Sequence, residues 1–474
     1  MKQELLRNLP SIDKMLKHQT VQSWLKTQAR SVVTKSLRET IDQIRQNILT
    51  DNTGACGLMH VDEEFILHHA GKAIEDATAP HITGAINATG IILHTALGRA
   101  VLPESVIDSM TEELKGYVTL AIDRETGKRS ERDQRTEYLL TELTGAEAGI
   151  VVNNNAAATM LALAAIAGGG EAIVSRGQLI EIGGSFRLPD VMELSRVDLR
   201  EVGCTNRTHL RDYANAIRPD ATPEGKKTTA IIRVHPSNFR VVGFTKQPET
   251  EELVNLAHEN DLPFIDDLGA GALVSLREFG LPHEPTVQES IQAGADIVLV
   301  STDKLIGAAQ GGLILGKKEF VDKCRKHPLY RAMRVDKTCL MLIERTMMLF
   351  RDMEKLRTMH PTYRMLSTTQ DQLRTRAETL AENIKSACTK SIHACVIESV
   401  GFLGSGSIPM EEIPTFAVKV HSEKVKAGDL AKRLRLDQAC IFSRVEDDSI
   451  CLDARTITDA QLSLIAQAIA RVTK

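Results

Sequence analysis

An α/β fold with a mostly parallel central sheet, a helical N-terminal domain and a small C-terminal α/β domain is predicted by three observations. Short apolar runs alternate with helical stretches through the middle of the chain, which implies parallel strands with both faces covered. Apolar residues recur at helical spacing near the N-terminus, and a second mixed pattern follows the long helical stretch around Leu342 to Met353. At 474 residues the chain exceeds one ordinary core. The expected division is a helical N-terminal domain with linker over 1–79, a large α/β domain over 80–345 and a small α/β domain over 346–474.

The helical prediction from about Ile12 to Leu49 rests on Ile12, Leu16, Leu25, Val32, Val33, Leu37, Ile41, Ile44 and Ile48, with Pro10 and Ser11 as its start. Lys2, Arg7, Lys14, Lys17, Lys26, Arg30, Lys35, Arg38 and Arg45 face only Glu4, Asp13, Glu39 and Asp42 there. Such a face is either ordinary solvated helix surface or a contact surface for a phosphate backbone. Asp51-Asn52-Thr53-Gly54 reads as a turn, and Pro80 marks the edge of the main domain.

The run from Ile86 to Arg99 sets small and polar residues between apolar clusters and reads as a site loop. Strands are expected at Gly149 to Val152, Ala172 to Val174, Ala230 to Val234, Pro263 to Ile265 and Ile297 to Val300. Beyond about Thr368 come a helix, the loop Gly404-Ser405-Gly406-Ser407, strands at Thr415 to Val420 and Ile450 to Leu452, and a last helix.

Composition narrows the function. A formal net charge of -4 gives no bulk attraction to nucleic acid, so such a partner needs a local patch. The 8 cysteines are dispersed without a Cys-x-x-Cys pair, which argues against a zinc cage or a disulfide framework and suggests that most are buried thiols. No apolar signal core or membrane-length run is present, so a soluble cytoplasmic protein is expected.

In an open α/β sheet, ligands sit at the carboxyl ends of the strands. Lys304 follows the apolar run Ile297 to Val300 and precedes the small residues Gly307 to Gly312, the setting of a Schiff-base lysine for the aldehyde of pyridoxal 5'-phosphate. Ser301 and Lys304 also spell Ser-x-x-Lys, but no Lys-Thr-Gly partner follows. Gly311 to Lys317 imitates a phosphate loop, yet its middle reads as a strand and Lys318 replaces the metal-binding hydroxyl.

Asn154, Asn155 and Ala156 lie where a strand gives way to a helix, a seat for the cofactor phosphate; a capped helix without ligand is the other reading. Asp267 is the candidate to keep the pyridine nitrogen protonated, with Asp266 completing the strand. Asn238 is a candidate donor to the phenolate oxygen. Phosphate seat, asparagine, aspartate and lysine follow the order used by aspartate-aminotransferase-like, fold type I enzymes. Arg331 and Arg334 would share a helix face and suit a tetrahedral oxyanion, with structural ion pairs as the alternative.

Together these stretches resemble the bacterial selenocysteine synthase family, the pyridoxal-phosphate-dependent L-seryl-tRNA(Sec) selenium transferases. The matches run from Leu9-Pro10-Ser11-Ile12-Asp13 through Ile86 to Arg99, Asn153 to Ala158, Ser175-Arg176-Gly177, Glu181 to Arg187, Thr205 to His209, Asp267-Leu268-Gly269, Asp303-Lys304-Leu305 and Arg331 to Lys337, to Leu403 to Ser407. The resemblance implies that Lys304 carries the cofactor and that the N-terminal domain grips seryl-tRNA(Sec). It also implies that Arg99, Arg331 and Arg334 handle selenophosphate, with no metal required, and that subunits assemble as a ring of dimers. The implied reaction passes through aminoacrylyl-tRNA to selenocysteinyl-tRNA(Sec).

Ala96, Ser130, Ala308 and Ala309 depart from the family pattern, and alanine in place of glycine can forbid a positive φ angle. Two alternatives stand beside this reading: a related lyase or transferase acting on a free amino acid or amino sugar phosphate, and a non-catalytic tRNA-binding homologue.

Overall fold

The computed structural model describes residues 2–50, 62–184, 186–223, 225–236 and 238–473, so the turn expected at Asp51 to Gly54 lies outside the described residues. The chain forms two compact units, Met1–Gly84 and Ala85–Lys474.

The first unit is helical, as expected, and its helical segment is divided into several helices. Helices span Lys2–Asn8, Ile12–Leu16, Gln19–Thr27, Arg30–Thr50 and Glu63–Thr78. Ser11 caps its helix as expected by accepting from the Lys14 N–H, and His18 caps the next one. Val33, Leu37, Ile41, Ile44 and Ile48 form one apolar stripe of the longest helix and pack with Ile66, Leu67, Ala70 and Ile74. Arg7, Lys14, Lys17, Lys26, Arg30, Lys35, Arg38 and Arg45 remain exposed.

The second unit contains β1 (Ile86–Ala88), β2 (Ala148–Val152), β3 (Glu171–Ser175), β4 (Glu181–Ile182), β5 (Phe186–Arg187), β6 (Asp198–Val202) and β7 (Thr228–Val234). It continues with β8 (Phe264–Gly269), β9 (Ile297–Ser301), β10 (Gly312–Gly316), β11 (Ile392–Gly404), β12 (Ser407–Ser422), β13 (Ile441–Glu446) and β14 (Ser449–Asp453).

The large sheet has the order β2-β10-β9-β8-β7-β3-β6. Neighbours from β9 to β6 run parallel, while β10 is antiparallel to both β9 and β2. β2, β3, β8, β9 and β10 are buried along their full length, and apolar layers cover both faces. This is the arrangement that near-continuous apolar runs require. The edge strand β6, Asp198-Leu199-Arg200-Glu201-Val202, escaped the sequence reading because it is mostly polar and only Val202 is buried.

A second sheet has the order β1-β13-β14-β12-β11. Its first member, Ile86–Ala88, belongs to the run expected to be a loop. It pairs parallel with Ile441 to Ser443 and joins the opening of the unit to its end. The helical stretch around Leu342 to Met353 is also broken. The helix Lys337–Met348 gives way to a 3-10 turn, then to Met353–Met359 and Pro361–Ser367.

Of the described cysteines only Cys324 and Cys451 are buried, against the expectation that most would be, and none forms a disulfide. No described helix is long and apolar enough to cross a membrane.

Candidate active site

The connection between β9 and β10 carries Lys304, and backbone pairing shapes it. Thr302 N–H donates to the Gly311 carbonyl at 2.9 Å and Ala308 N–H to the Thr302 carbonyl at 2.9 Å. Leu305 N–H reaches the Ala270 carbonyl at 3.3 Å, tying the turn to the segment after β8. Gly307 has φ +68° and lies against the buried His360 ring, which a Cβ there would meet at 2.1 Å. His360 Nε2 donates to the Ile306 carbonyl at 3.0 Å. Ala308 and Ala309 do not have positive φ, so their methyl groups cause none of the backbone strain that alanine threatened. Ala96 sits exposed in the 3-10 turn Thr95–Leu97.

Lys304 opens on a cavity of about 240 Å³ whose lining includes Arg99, Asn154, Asn155, Ala156, His235, Asp267, Asp303 and Gln310. Its side chain is almost wholly buried. Burial and the Arg99 guanidinium lower the amine pKa, against the raising effect of Asp303, Asp267 and Glu284. Arg99 pairs with Asp303. It also holds φ +65°, a left-handed backbone that a non-glycine residue seldom adopts.

Strand β8 runs through Asp266 and Asp267, and side-chain alternation separates the two carboxylates. Asp266 is locked in a two-pronged pair with Arg233 at 2.7 and 2.6 Å. Asp267 faces the cavity side and accepts from Asn155 Nδ2 at 2.8 Å, Thr159 Oγ1 at 2.9 Å and Gly269 N–H at 3.1 Å. Burial raises its pKa; the Asn155 amide, the Thr159 hydroxyl and Lys304 oppose that shift.

The helix Asn155–Ile166 begins directly after β2. Asn154 caps it by accepting from Ala157 N–H at 2.8 Å, and the N–H groups of Asn155 and Ala156 have no acceptor among the described residues. Asn155 Oδ1 is buried without a partner. Gly312 allows β10 to pass close to this corner, since a Cβ there would lie 2.2 Å from the Asn154 carbonyl oxygen.

Three expected residues are placed differently. Asn238 does not line the cavity: it is exposed and its amide donates to the Glu181 carbonyl at 2.9 Å. His235, immediately after β7, lines the cavity instead, and its N–H donates to the Asp267 carbonyl at 2.8 Å. The sequence signal was its position directly after the last apolar strand residue, Val234. Arg331 and Arg334 do not share a helix face, because the helix ends at Met333. Arg334 instead bridges Val152 at the end of β2, with Asn153 N–H donating to the Met333 carbonyl at 2.9 Å. Arg331 is exposed, and Arg334 Nε is buried without a partner.

Residues 85–458 match the family model for L-seryl-tRNA selenium transferase, and residues 6–45 match that for the selenocysteine synthase N terminal. The L-seryl-tRNA(Sec) selenium transferase of Clostridium botulinum strain Okra is 41% identical over 473 residues, covering 100% of both chains. The enzyme of that name from Caldanaerobacter subterraneus subsp. tengcongensis is 41% identical over 471 residues, covering 99% of each. Among solved structures, D-glucosaminate-6-phosphate ammonia-lyase aligns with a TM-score of 0.56 at 20% identity, covering 84% of this chain and 98% of that one. That likeness concerns the fold, which is fold type I as expected.

Proposed function

Because the chain belongs to the L-seryl-tRNA selenium transferase family and so converts seryl-tRNA(Sec) to selenocysteinyl-tRNA(Sec), we propose that pyridoxal 5'-phosphate occupies the Lys304 cavity and that selenophosphate is the selenium donor. The observation that carries this reading is one cavity lined by a buried amine, a buried carboxylate and a helix start with free N–H groups. These groups fit the cofactor. Lys304 would hold the aldehyde carbon, Asp267 the ring nitrogen, and the N–H groups of Asn155 and Ala156 the phosphate. Bound there, pyridoxal phosphate supplies an electron sink for charge developing at the substrate α-carbon.

The chain's own groups do the rest. With its pKa lowered by burial and Arg99, the Lys304 amine is the nucleophile for cofactor attachment and the base for the α-proton. Asp267 keeps the ring nitrogen protonated, and its own three donors hold the carboxylate in place. The β-hydroxyl of the seryl group leaves before selenium joins the same carbon. Arg99 is the guanidinium at the cavity for the incoming selenophosphate. Arg331 and Arg334 are further anion contacts, Arg334 by its backbone position beside Val152. The substrate carboxyl is esterified to tRNA, so no arginine is needed to clamp a free carboxylate.

The exposed basic residues of the first unit are the tRNA contact surface. The family premise also implies a cytoplasmic homo-oligomer built as a ring of dimers. The test is conversion of seryl-tRNA(Sec) by purified protein with selenophosphate. Product should form and should vanish, together with a borohydride-sensitive absorbance band, in Lys304→Ala. An active Lys304→Ala protein would overturn the assignment.

A further inference from the structure

The strand order sets which edge of a flat ring each strand end can meet. The phosphate seat follows β2, Lys304 follows β9, Asp267 stands near the end of β8, and His235 follows β7. In pyridoxal phosphate the ring hydroxyl and the phosphate arm flank the aldehyde carbon on opposite sides. Were the phosphate arm held on the β2 side, the hydroxyl edge would face β7. The polar side chain that the end of β7 gives to the cavity is His235, because Asn238 is turned to the Glu181 carbonyl.

His235 is itself held. Its Nε2 lies 3.3 Å from Glu284 Oε1, and the Glu284 side chain is only 7% exposed. Among the described residues the imidazole is the side chain that pairs directly with this buried carboxylate, and the Lys304 amine feels its charge as well. Glu284 precedes Pro285, which restricts it to extended backbone and fixes the loop that presents it. With Nε2 committed to Glu284, Nδ1 is the nitrogen left for a ligand.

We propose that His235, oriented by the buried carboxylate of Glu284, contacts the ring hydroxyl of the cofactor and sets its electronic state. This rests on pyridoxal phosphate occupying the Lys304 cavity. The His235–Glu284 pair then delivers a hydrogen bond to the phenolate oxygen, and Glu284 is a positioning residue that acts through the imidazole. A charge-assisted hydrogen bond of this kind favours the cofactor form with the proton shared near the Lys304 nitrogen.

The experiment reconstitutes the full-length protein with pyridoxal phosphate and records the absorbance maximum and cofactor affinity for wild type, His235→Leu, His235→Asn and Glu284→Gln. Circular dichroism checks the fold of each. His235→Leu is expected to displace the absorbance maximum and weaken cofactor affinity about tenfold. His235→Asn, which keeps a donor, should restore most of both, and Glu284→Gln should fall between. Unchanged spectrum and affinity in folded His235→Leu and Glu284→Gln would overturn the proposal. A wild-type protein without a borohydride-sensitive band dependent on Lys304 would instead overturn the cofactor reading beneath it. Loss of the spectrum in His235→Asn equal to that in His235→Leu would show packing by the imidazole rather than hydrogen bonding, and would also count against the proposal.

Discussion

At the scale of the residue, His360 is a buried group outside the cavity that packs against the turn carrying Lys304. It is fully buried, and burial lowers its pKa from 6.5 to about 4 against the opposing hydrogen bond to Ile306. The imidazole is therefore neutral in the folded protein at neutral pH, with Nε2–H available to the Ile306 carbonyl. A folded-state pKa below the unfolded value gives stability that is complete above about 6.5 and lost as pH falls toward about 4. The shift corresponds to on the order of 3 kcal/mol. Urea unfolding at pH 7.5 and pH 4.5 should show an acid loss that is smaller in His360→Gln. Equal losses in the two proteins would rule this linkage out.

Legibility was uneven at the same scale. Lys304 stood out because a charged residue after an unbroken apolar strand contrasts with its surroundings. Of the two carboxylates, Asp267 lines the cavity and Asp266 is paired with Arg233. Asn238 suited the phenolate by its amide chemistry, but in the structure that amide is exposed and donates to the Glu181 carbonyl. Exposure of this kind leaves no trace in residue type.

At the scale of the element, the helix Asn155–Ile166 is the strongest test of the phosphate seat proposed at its start. Asn154 occupies one of its first N–H groups and leaves those of Asn155 and Ala156 for a ligand. Replacing Asn154 with Ala should cost about 1 kcal/mol of stability, while Asn154→Asp should retain the cap. The aspartate variant should nevertheless bind a phosphate-bearing cofactor more weakly, because it places a negative charge at the anion seat. Thermal melts and cofactor titration separate the two effects, and equal cofactor affinity in wild type and Asn154→Asp would remove the phosphate from this corner.

Apolar periodicity made the central strands legible, and their ends moved by only a residue or a few. β6 was hidden by its charge, as edge strands often are. The spacing of Arg331 and Arg334 implied a shared helix face, but pairing of Arg334 with Val152 ends the helix first. That bridge is a tertiary contact between distant segments, beyond the reach of helical spacing.

For the whole molecule, sequence charge and structure bear on one question. The protein is acidic overall at -4, yet its first unit exposes Lys17, Lys26, Arg30 and Arg38, which form no ion pair among the described residues. Exchanging these four for glutamine should leave the unfolding transition almost unchanged, since surface charges contribute little to stability. Affinity for seryl-tRNA(Sec) should fall, and the salt dependence of binding should flatten by up to about one unit of slope per lost phosphate contact. An unaltered salt slope would assign tRNA binding to another surface.

The pairing of β1 with β13 has a consequence for biosynthesis. Ile86, Asn87 and Ala88 emerge early from the ribosome, but their partners Ile441, Phe442 and Ser443 are made near the end. Until then β1 has an open backbone edge and the small sheet cannot close. Release of a chain truncated before β13 would leave that edge permanently unpaired, far in sequence from the lesion. The small sheet can thus be completed only late in synthesis, and a chain cut short before β13 should lack it however sound the rest of the unit is.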